Sequence, residues 1–241
     1  MGLVLKEFKQ NFDLLRKLIE PLGVNEFLRD YYEKKPLLSP DNKCRNFGDL
    51  ISLEKLDHLL ATSELPPASI DMARSRPPIS KANFTFKSGN IDRGAVVRHY
   101  QSGATIIFPQ INLAIDELAN FCRNLEFELS CKVQTNVYLT PRNSQGFKTH
   151  YDDHDVFIMQ IHGKKNWNLY QQAVEKPFRG EPFDSSEHEA GKLNLNFTME
   201  PGDCLYIPRG YMHDATNVGS EPSLHITVGL LVKKWADLML E

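Results

Sequence analysis

Two short stretches of the chain carry side chains that could hold a metal ion. The first, THYDDHDVF, contains His150 and Asp152, and the second, GDCLYIPRGYMHDATN, contains His213. Residues two apart on a strand point to the same face, so His150 and Asp152 are predicted to reach one point in space. Two imidazoles and one carboxylate form the 2-His-1-carboxylate set, which favours non-haem Fe(II) and leaves positions open for substrate and oxygen. The predicted catalytic and metal-binding residues are therefore His150, Asp152 and His213.

The neighbours of this set have roles that the pattern leaves open. His154 shares the parity of His150 and Asp152, so it would be a rival ligand only if the strand ran unbroken. A place beside the ligands, or facing the substrate, is the interpretation we prefer for His154. Asp153 and Asp155 are expected in a turn and at the mouth of the fold, where their charge would suit a cationic substrate.

The elements that must position these residues change character along the chain. Apolar residues at steps of three and four from Phe8 to Leu22 predict a helix, and Ser52 is placed to begin another. Residues 94–108 suggest a strand pair around a turn at 102–103, and residues 112–125 suggest an amphipathic helix. The remainder predicts short strands separated by Gly, Pro, Asn or Asp, which is typical of a barrel or sandwich: CKVQTNVYLT, DVFIMQIHG, NWNLY, LNFTME, DCLYIP and SLHITVGLL.

The bulk composition excludes several classes of protein. The chain has 241 residues, of which 41% are hydrophobic and 24% charged, as expected of a globular protein with a core. Its net charge is −3, and the chain has no excess of basic residues, so we expect no direct binding to nucleic acid. The four cysteines form no CxxC pair, which favours reduced thiols. No apolar run approaches the length of a membrane span, and we expect a soluble cytoplasmic protein.

The second stretch also matches the second cupin signature, in which Gly202, Pro208, Gly210, His213 and Asn217 stand at the required spacings. The chain from about residue 100 to 231 resembles the JmjC-type cupins, and most of all their ribosomal-oxygenase branch. The text that carries the resemblance is NVYLTPRNSQGFKTHYDDHDVFIMQIHGKKNWNLY, PGDCLYIPRGYMHDATN and SLHITV, with FLRDYYEKKPLLS similar to the entry segment of that branch. The resemblance implies a mostly β fold with N-terminal helices (α+β), built on a double-stranded β-helix or jelly-roll barrel.

The resemblance also implies a site for 2-oxoglutarate. In this family a lysine or arginine fifteen residues after the first ligand histidine binds the far carboxylate, and that position is Lys165. An asparagine and a tyrosine of the preceding strand line the same pocket, and these are Asn136 and Tyr138. Thr227 and His225 alternate with apolar neighbours, so a place in the pocket and plain packing are both open for them.

Three segments are expected: residues 1–95 as a helical segment and loop packing on the barrel, residues 96–231 as the catalytic barrel, and residues 232–241 as the start of a C-terminal helix. A homodimer through that helix is one expectation. The resemblance implies an oxygenase that uses Fe(II), 2-oxoglutarate and O2 to hydroxylate a C–H bond. The expected substrate is an arginine or histidine side chain of a ribosomal protein. A hydroxylase of a peptide or small metabolite, and a metal-binding cupin without turnover, are the alternatives.

Overall fold

The computed structural model describes residues 12–41, 45–62, 65–66 and 68–232. Its α-helices are α1 (Asp13–Ile19), α2 (Val24–Asp30), α3 (Leu53–Thr62), α4 (Arg93–Gln101) and α5 (Asp116–Leu129). Its strands are β1 (Leu37–Ser39), β2 (Asp71–Ala73), β3 (Thr105–Phe108), β4 (Lys132–Thr140), β5 (Asp155–His162), β6 (Lys165–Gln172), β7 (Leu193–Met199), β8 (Cys204–Ile207), β9 (Tyr211–Thr216) and β10 (Ser223–Leu231). Two short 3₁₀ turns, Lys81–Asn83 and Ile111–Leu113, complete the described elements.

The strands form two sheets that face each other. The larger has seven strands in the order β1-β8-β5-β10-β4-β3-β2, and the smaller has three in the order β7-β6-β9. Every pairing between named strands is antiparallel. The prediction of a jelly-roll barrel of mostly β structure with N-terminal helices is confirmed.

The larger sheet is buried on both faces, and β5 shows how. Its alternating residues Phe157 and Met159 join the core beneath the helices. Val156 and Ile158 point the other way and join a second core with Trp167 of the smaller sheet. A strand buried on both sides reads as a continuous apolar run, which explains VFIMQI in the sequence.

The N-terminal helices pack on the outer face of the larger sheet and are tied to it by polar contacts. The Glu128 carboxylate of α5 accepts hydrogen bonds from the backbone N–H groups of Leu14 and Leu15 at 2.8 and 2.7 Å. These donors lie in the first turn of α1, where no partner within the helix exists. The helices predicted around Leu15 and after Ser52 are confirmed as α1 and α3, while the part of the first stripe before Phe12 lies outside the described residues.

The strand pair predicted for residues 94–108 is wrong in its first half, which is helix α4. The Asp92 side chain accepts a hydrogen bond from the N–H of Ala95 at 3.0 Å, an N-cap that starts a helix through the β-branched residues Val96 and Val97. Only Thr105–Phe108 forms the expected strand. The next helix, α5, begins at Asp116 rather than Asn112, because the 3₁₀ turn precedes it.

The first 95 residues also contribute strands to the larger sheet. β1 pairs with β8 and β2 pairs with β3, so this region supplies both edges of the sheet. Of the predicted C-terminal helix, residues 233–241 lie outside the described part of the chain. None of the helices described is long and apolar enough to cross a membrane.

Candidate metal centre

Three side chains converge between the two sheets. Ligand atoms of His150, Asp152 and His213 lie within 4.8 Å of one another. His150 Nε2 is 4.0 Å from Asp152 Oδ1, and His213 Nε2 is 3.8 Å from Asp152 Oδ2. Two imidazole nitrogens and one carboxylate at these separations fit a six-coordinate iron bound through one face.

The backbone fixes which ring nitrogen of each histidine faces this point. Nδ1 of His150 lies 2.8 Å from the carbonyl oxygen of Lys148, and Nδ1 of His213 lies 3.0 Å from that of Tyr211. A carbonyl oxygen only accepts, so in the neutral imidazole Nδ1 carries the proton and Nε2 keeps its lone pair. Both rings are therefore held in the tautomer that binds a metal through Nε2.

The route by which His150 and Asp152 converge differs from the prediction. They lie in the segment between β4 and β5 rather than on a regular strand, so the strand placement was wrong. His150 forms a single isolated bridge with His213 of β9. Asp152 is held by its carbonyl oxygen, which accepts a hydrogen bond from the N–H of Gly210 at 3.0 Å. The bridge to His213 and the hydrogen bond from Gly210 therefore orient the two side chains, where the prediction relied on the alternation of a strand.

Electrostatics favour metal binding at His213. Burial, together with the neighbouring His150, lowers the pKa of His213 to about 4. The imidazole is therefore neutral at physiological pH, and the neutral form is the one that coordinates metals. The neutral imidazole of His213 and the neighbouring carboxylate of Asp152 can therefore bind a metal ion without first losing a proton.

Lys165 is the first residue of β6 and is almost fully buried, with 5% of its surface exposed. Its Nζ donates to Thr140 Oγ1 at 3.1 Å and lies 3.4 Å from His225 Nδ1. No carboxylate of the described residues lies within ion-pair distance of it. Burial without an anion lowers the pKa of Lys165 to about 7. Lys164, by contrast, is exposed and pairs with Glu200.

One cavity joins Lys165 to the three metal-binding candidates. Its lining includes His150, Asp152, His213, Lys165, Tyr138, Thr227, His225, Val156, Ile158 and Trp167. Its volume of about 240 Å³ is many times the roughly 10–15 Å³ that a cavity needs to hold one water molecule, which leaves room for a small organic acid. Trp167 lies between the two ends: its ring centroid is 6.0 Å from that of His213 and 6.0 Å from Lys165 Nζ.

The remaining predicted pocket residues are placed on the inner face of the larger sheet. Tyr138 stacks on His225 with ring centroids 4.8 Å apart, and both line the cavity with Thr227. Asn136 pairs with Thr227 in register and so shares this face. Its Oδ1 accepts a hydrogen bond from the N–H of Gln110 at 3.0 Å, and it is not among the cavity-lining residues.

His154 and Asp155 lie elsewhere. The His154 ring is hydrogen-bonded to Asp153 Oδ1 at 2.9 Å and packs over Gly229, where a Cβ atom would come within 2.9 Å of it. It does not belong to the metal cluster. The expectation that Asp155 lies at the mouth is wrong, because its side chain is fully buried and receives hydrogen bonds from Tyr206 and Arg209 at 2.6 and 3.1 Å.

The sequence pattern did not indicate two residues that lie beside the ligands. Asp214 follows His213 and accepts a hydrogen bond from the hydroxyl of Thr149, which precedes His150, at 2.8 Å. The two are 65 residues apart, and no local periodicity connects them. Both carry polar side chains that would ordinarily be read as surface residues.

Residues 109–238 of the chain match the family model described as the JmjC domain. The bifunctional lysine-specific demethylase and histidyl-hydroxylase NO66 of Drosophila persimilis is 34% identical over 227 residues, which cover 93% of this chain and 33% of that protein. Ribosomal oxygenase 2 of Mus musculus is 34% identical over 241 residues, covering 96% of this chain and 51% of that protein. The chain thus spans between a third and a half of the length of these relatives.

Among solved structures, YcfD of Escherichia coli has the same fold. One structure superposes with a TM-score of 0.63 at 17% identity, over 91% of this chain and 55% of that one. Another, of YcfD as a ribosomal oxygenase in complex with cobalt and 2-oxoglutarate, gives a TM-score of 0.62 at 17% identity, over 91% of this chain and 54% of that one. At this identity the likeness concerns the fold alone. With the family model matching more than half of its length, the chain belongs to the JmjC domain family.

Proposed function

We propose that this chain is an Fe(II)- and 2-oxoglutarate-dependent oxygenase that hydroxylates a C–H bond. The observation that carries the proposal is one cavity lined both by His150, Asp152 and His213 and by the buried Lys165, whose Nζ contacts Thr140 and His225 and pairs with no carboxylate of the described residues. A metal-binding triad alone would also fit a cupin that binds metal without turnover. A buried ammonium group without a counter-ion is unfavourable, so the lysine facing this cavity favours an anionic ligand bound beside the metal.

Each residue has a part in this proposal. His150, Asp152 and His213 would hold Fe(II), and Lys165 would bind the far carboxylate of 2-oxoglutarate with its ammonium group. Together with O2, the bound iron and 2-oxoglutarate supply oxidative hydroxylation of the substrate, with succinate and CO2 as co-products. The apolar side chains of Val156 and Ile158 line the cavity and keep water from the reacting atoms.

For the substrate we propose a protein side chain, an arginine or histidine of a ribosomal protein, in the cytoplasm. Two relatives support this, since one is named as a histidyl-hydroxylase and the other as a ribosomal oxygenase. The first name also includes lysine-specific demethylation, which is open to the same iron chemistry. A peptide or small metabolite is the second candidate substrate. The homodimer and the lack of direct nucleic-acid binding stay predictions.

The proposal is tested by succinate formation from 2-oxoglutarate, with Fe(II) and air. Wild-type protein is expected to form succinate, and Asp152→Ala to lose this activity. His162→Ala is the matched control, because His162 is a half-exposed histidine that pairs with Glu221 outside the cavity. Equal turnover by Asp152→Ala and His162→Ala would contradict the role of the carboxylate. Iron binding without any succinate would favour the cupin that binds metal without turnover.

The substrate is tested separately by mass spectrometry. The iron-loaded protein is incubated with ribosomal proteins and, in parallel, with a fraction of small metabolites. The expected result is a gain of about 16 Da, one oxygen atom, on an arginine or histidine of a ribosomal protein. The same gain on a metabolite alone would establish the second candidate, and loss of a methyl group from a lysine would establish demethylation.

A further inference from the structure

We propose that Asp214 and Thr149 are positioning residues for the metal centre, an inference that rests on the proposed function. Asp214 is buried, with 6% of its surface exposed, and its carboxylate receives three side-chain hydrogen bonds. Thr149 Oγ1 and Tyr170 OH both donate to Oδ2 at 2.8 Å, and Asn168 Nδ2 donates to Oδ1 at 2.9 Å. These partners come from two separate parts of the chain, the segment before β5 and strand β6.

The Asp214 carboxylate and the His213 ring lie on opposite faces of the smaller sheet. Asp214 follows His213 on β9, and consecutive residues of a strand point to opposite faces. The Asp214 side chain therefore lies on the face of the smaller sheet away from the metal, in register with Asn168 of β6. Asp214 is among the residues that line the cavity, and its three hydrogen bonds hold the elements that carry the ligands.

The element that most needs holding is the segment that carries His150. This residue lies outside the named strands, and its backbone pairs only with His213, in an isolated bridge. Thr149 is the adjacent residue, so its hydrogen bond to Asp214 fixes the segment directly beside the bridge. Asn168 and Tyr170 tie the same carboxylate to β6, the strand that begins with Lys165. One buried carboxylate thus sets His150 relative to His213 and both relative to Lys165.

The test compares metal affinity in variants of Thr149 and Asp214. Thr149→Val removes the hydroxyl with little change of shape, Thr149→Ser keeps it, and Asp214→Asn replaces the carboxylate by an amide. Co(II) titration, followed by visible absorption, is the probe. We expect about a tenfold weaker Co(II) affinity for Thr149→Val and about 10- to 100-fold for Asp214→Asn, as for other groups that orient metal ligands. Thr149→Ser is expected to bind Co(II) like the wild type.

A matched control separates positioning from general loss of stability. Asp203 is also a buried carboxylate, accepting hydrogen bonds from the N–H groups of Asp41 and Glu200, and its carbonyl lies at the far end of β5 from Asp152. Asp203→Asn is expected to lower the melting temperature without changing the Co(II) affinity. If Thr149→Val and Asp214→Asn behave in the same way, the positioning role is overturned.

A second readout needs no metal. The N–H of His213 donates to the carbonyl of His150 at 2.7 Å, and its hydrogen exchange reports how firmly the two segments pair. In the metal-free protein this N–H is expected to exchange faster in Thr149→Val than in Thr149→Ser. Wild-type protein that binds no Co(II) would overturn the metal centre itself, whereas unchanged exchange with normal Co(II) binding would overturn only the role of Thr149 and Asp214.

Discussion

His150 and His213 exchange both backbone hydrogen bonds, at 3.0 Å from His150 N to His213 O and at 2.7 Å from His213 N to His150 O. This pair brings the two imidazole rings to a centroid distance of 4.6 Å. The spacing of the two nitrogen ligands is therefore set by the main chain, while Asp152 lies two residues after His150 in the same irregular segment. Preorganisation of this kind lowers the conformational cost of binding a metal.

Replacing Lys165 by methionine should weaken 2-oxoglutarate binding while leaving the metal in place. A hydrogen-bonded ion contributes about 1.5–3 kcal/mol, which corresponds to roughly a 10- to 150-fold rise in the dissociation constant. The measurement is calorimetric titration of Co(II)-loaded protein with 2-oxoglutarate in the absence of oxygen. Lys164→Met is the control, since that side chain is exposed and pairs with Glu200. Similar affinities for the two variants would rule out Lys165 as the anion-binding group.

The affinity for 2-oxoglutarate should also depend on pH. Burial lowers the pKa of Lys165 to about 7, so the free protein loses this positive charge as the pH rises through that value. The bound carboxylate favours the ammonium form, and binding above pH 7 must therefore take up a proton. The dissociation constant should stay flat below pH 7 and rise about tenfold per pH unit above it. Lys165→Arg, whose guanidinium stays charged, should bind with a flat profile, and a wild type without any slope would contradict the assignment.

Removing Asp155 should destabilise the fold more than removing an exposed acid. Its carboxylate is fully buried and bonds Arg209 Nη1 at 3.1 Å, and the same Nη1 bonds Glu33 at 2.7 Å. Leaving a buried arginine with one partner fewer costs about 3 kcal/mol in the free energy of unfolding. Urea denaturation of metal-free Asp155→Ala measures this loss. Glu117→Ala, which breaks an exposed pair with Lys55, should cost far less, and equal losses would refute the structural role of Asp155.

A side chain at Gly229 should destabilise the fold while His154 is present. A Cβ at this position would lie 2.9 Å from Cδ2 and Nε2 of the His154 ring. Gly229→Ala is therefore expected to lower the free energy of unfolding by about 1–3 kcal/mol through overpacking. The double variant His154→Ala with Gly229→Ala should recover part of that loss, as a thermal-unfolding cycle would show. Strictly additive losses would mean that the two residues do not meet.

The barrel itself was predictable because its signals are local. β5 was recognisable from its continuous apolar run, and β6 from the alternation of Trp167 and Leu169 with polar neighbours. Helix α4 was not predicted, since Val96 and Val97 favour a strand and the deciding contact is the Asp92 cap. The cap and the burial of Ala95 and Val96 in the core together stabilise the helix against the strand propensity of the two valines.

The chemistry of the site could be predicted only in part. The residue types and spacing around His150 and His213 singled out candidate ligands, because few structural roles require that combination. The burial of Asp155 could not be foreseen, since its partner Arg209 lies 54 residues away. The same holds for Asp214 and its three donors. Contacts between distant polar residues leave no periodic pattern in a single sequence.

The pairing of β1 with β8 and of β2 with β3 has a consequence for any attempt to dissect the protein. A fragment starting at residue 96 would lose the outermost strand on each flank, baring rows of unsatisfied amide and carbonyl groups. Unpaired edge strands form hydrogen bonds with other chains, so the fragment should aggregate rather than remain monomeric. The amino-terminal third is thus a protective border of the jelly roll as well as a cover for one of its faces.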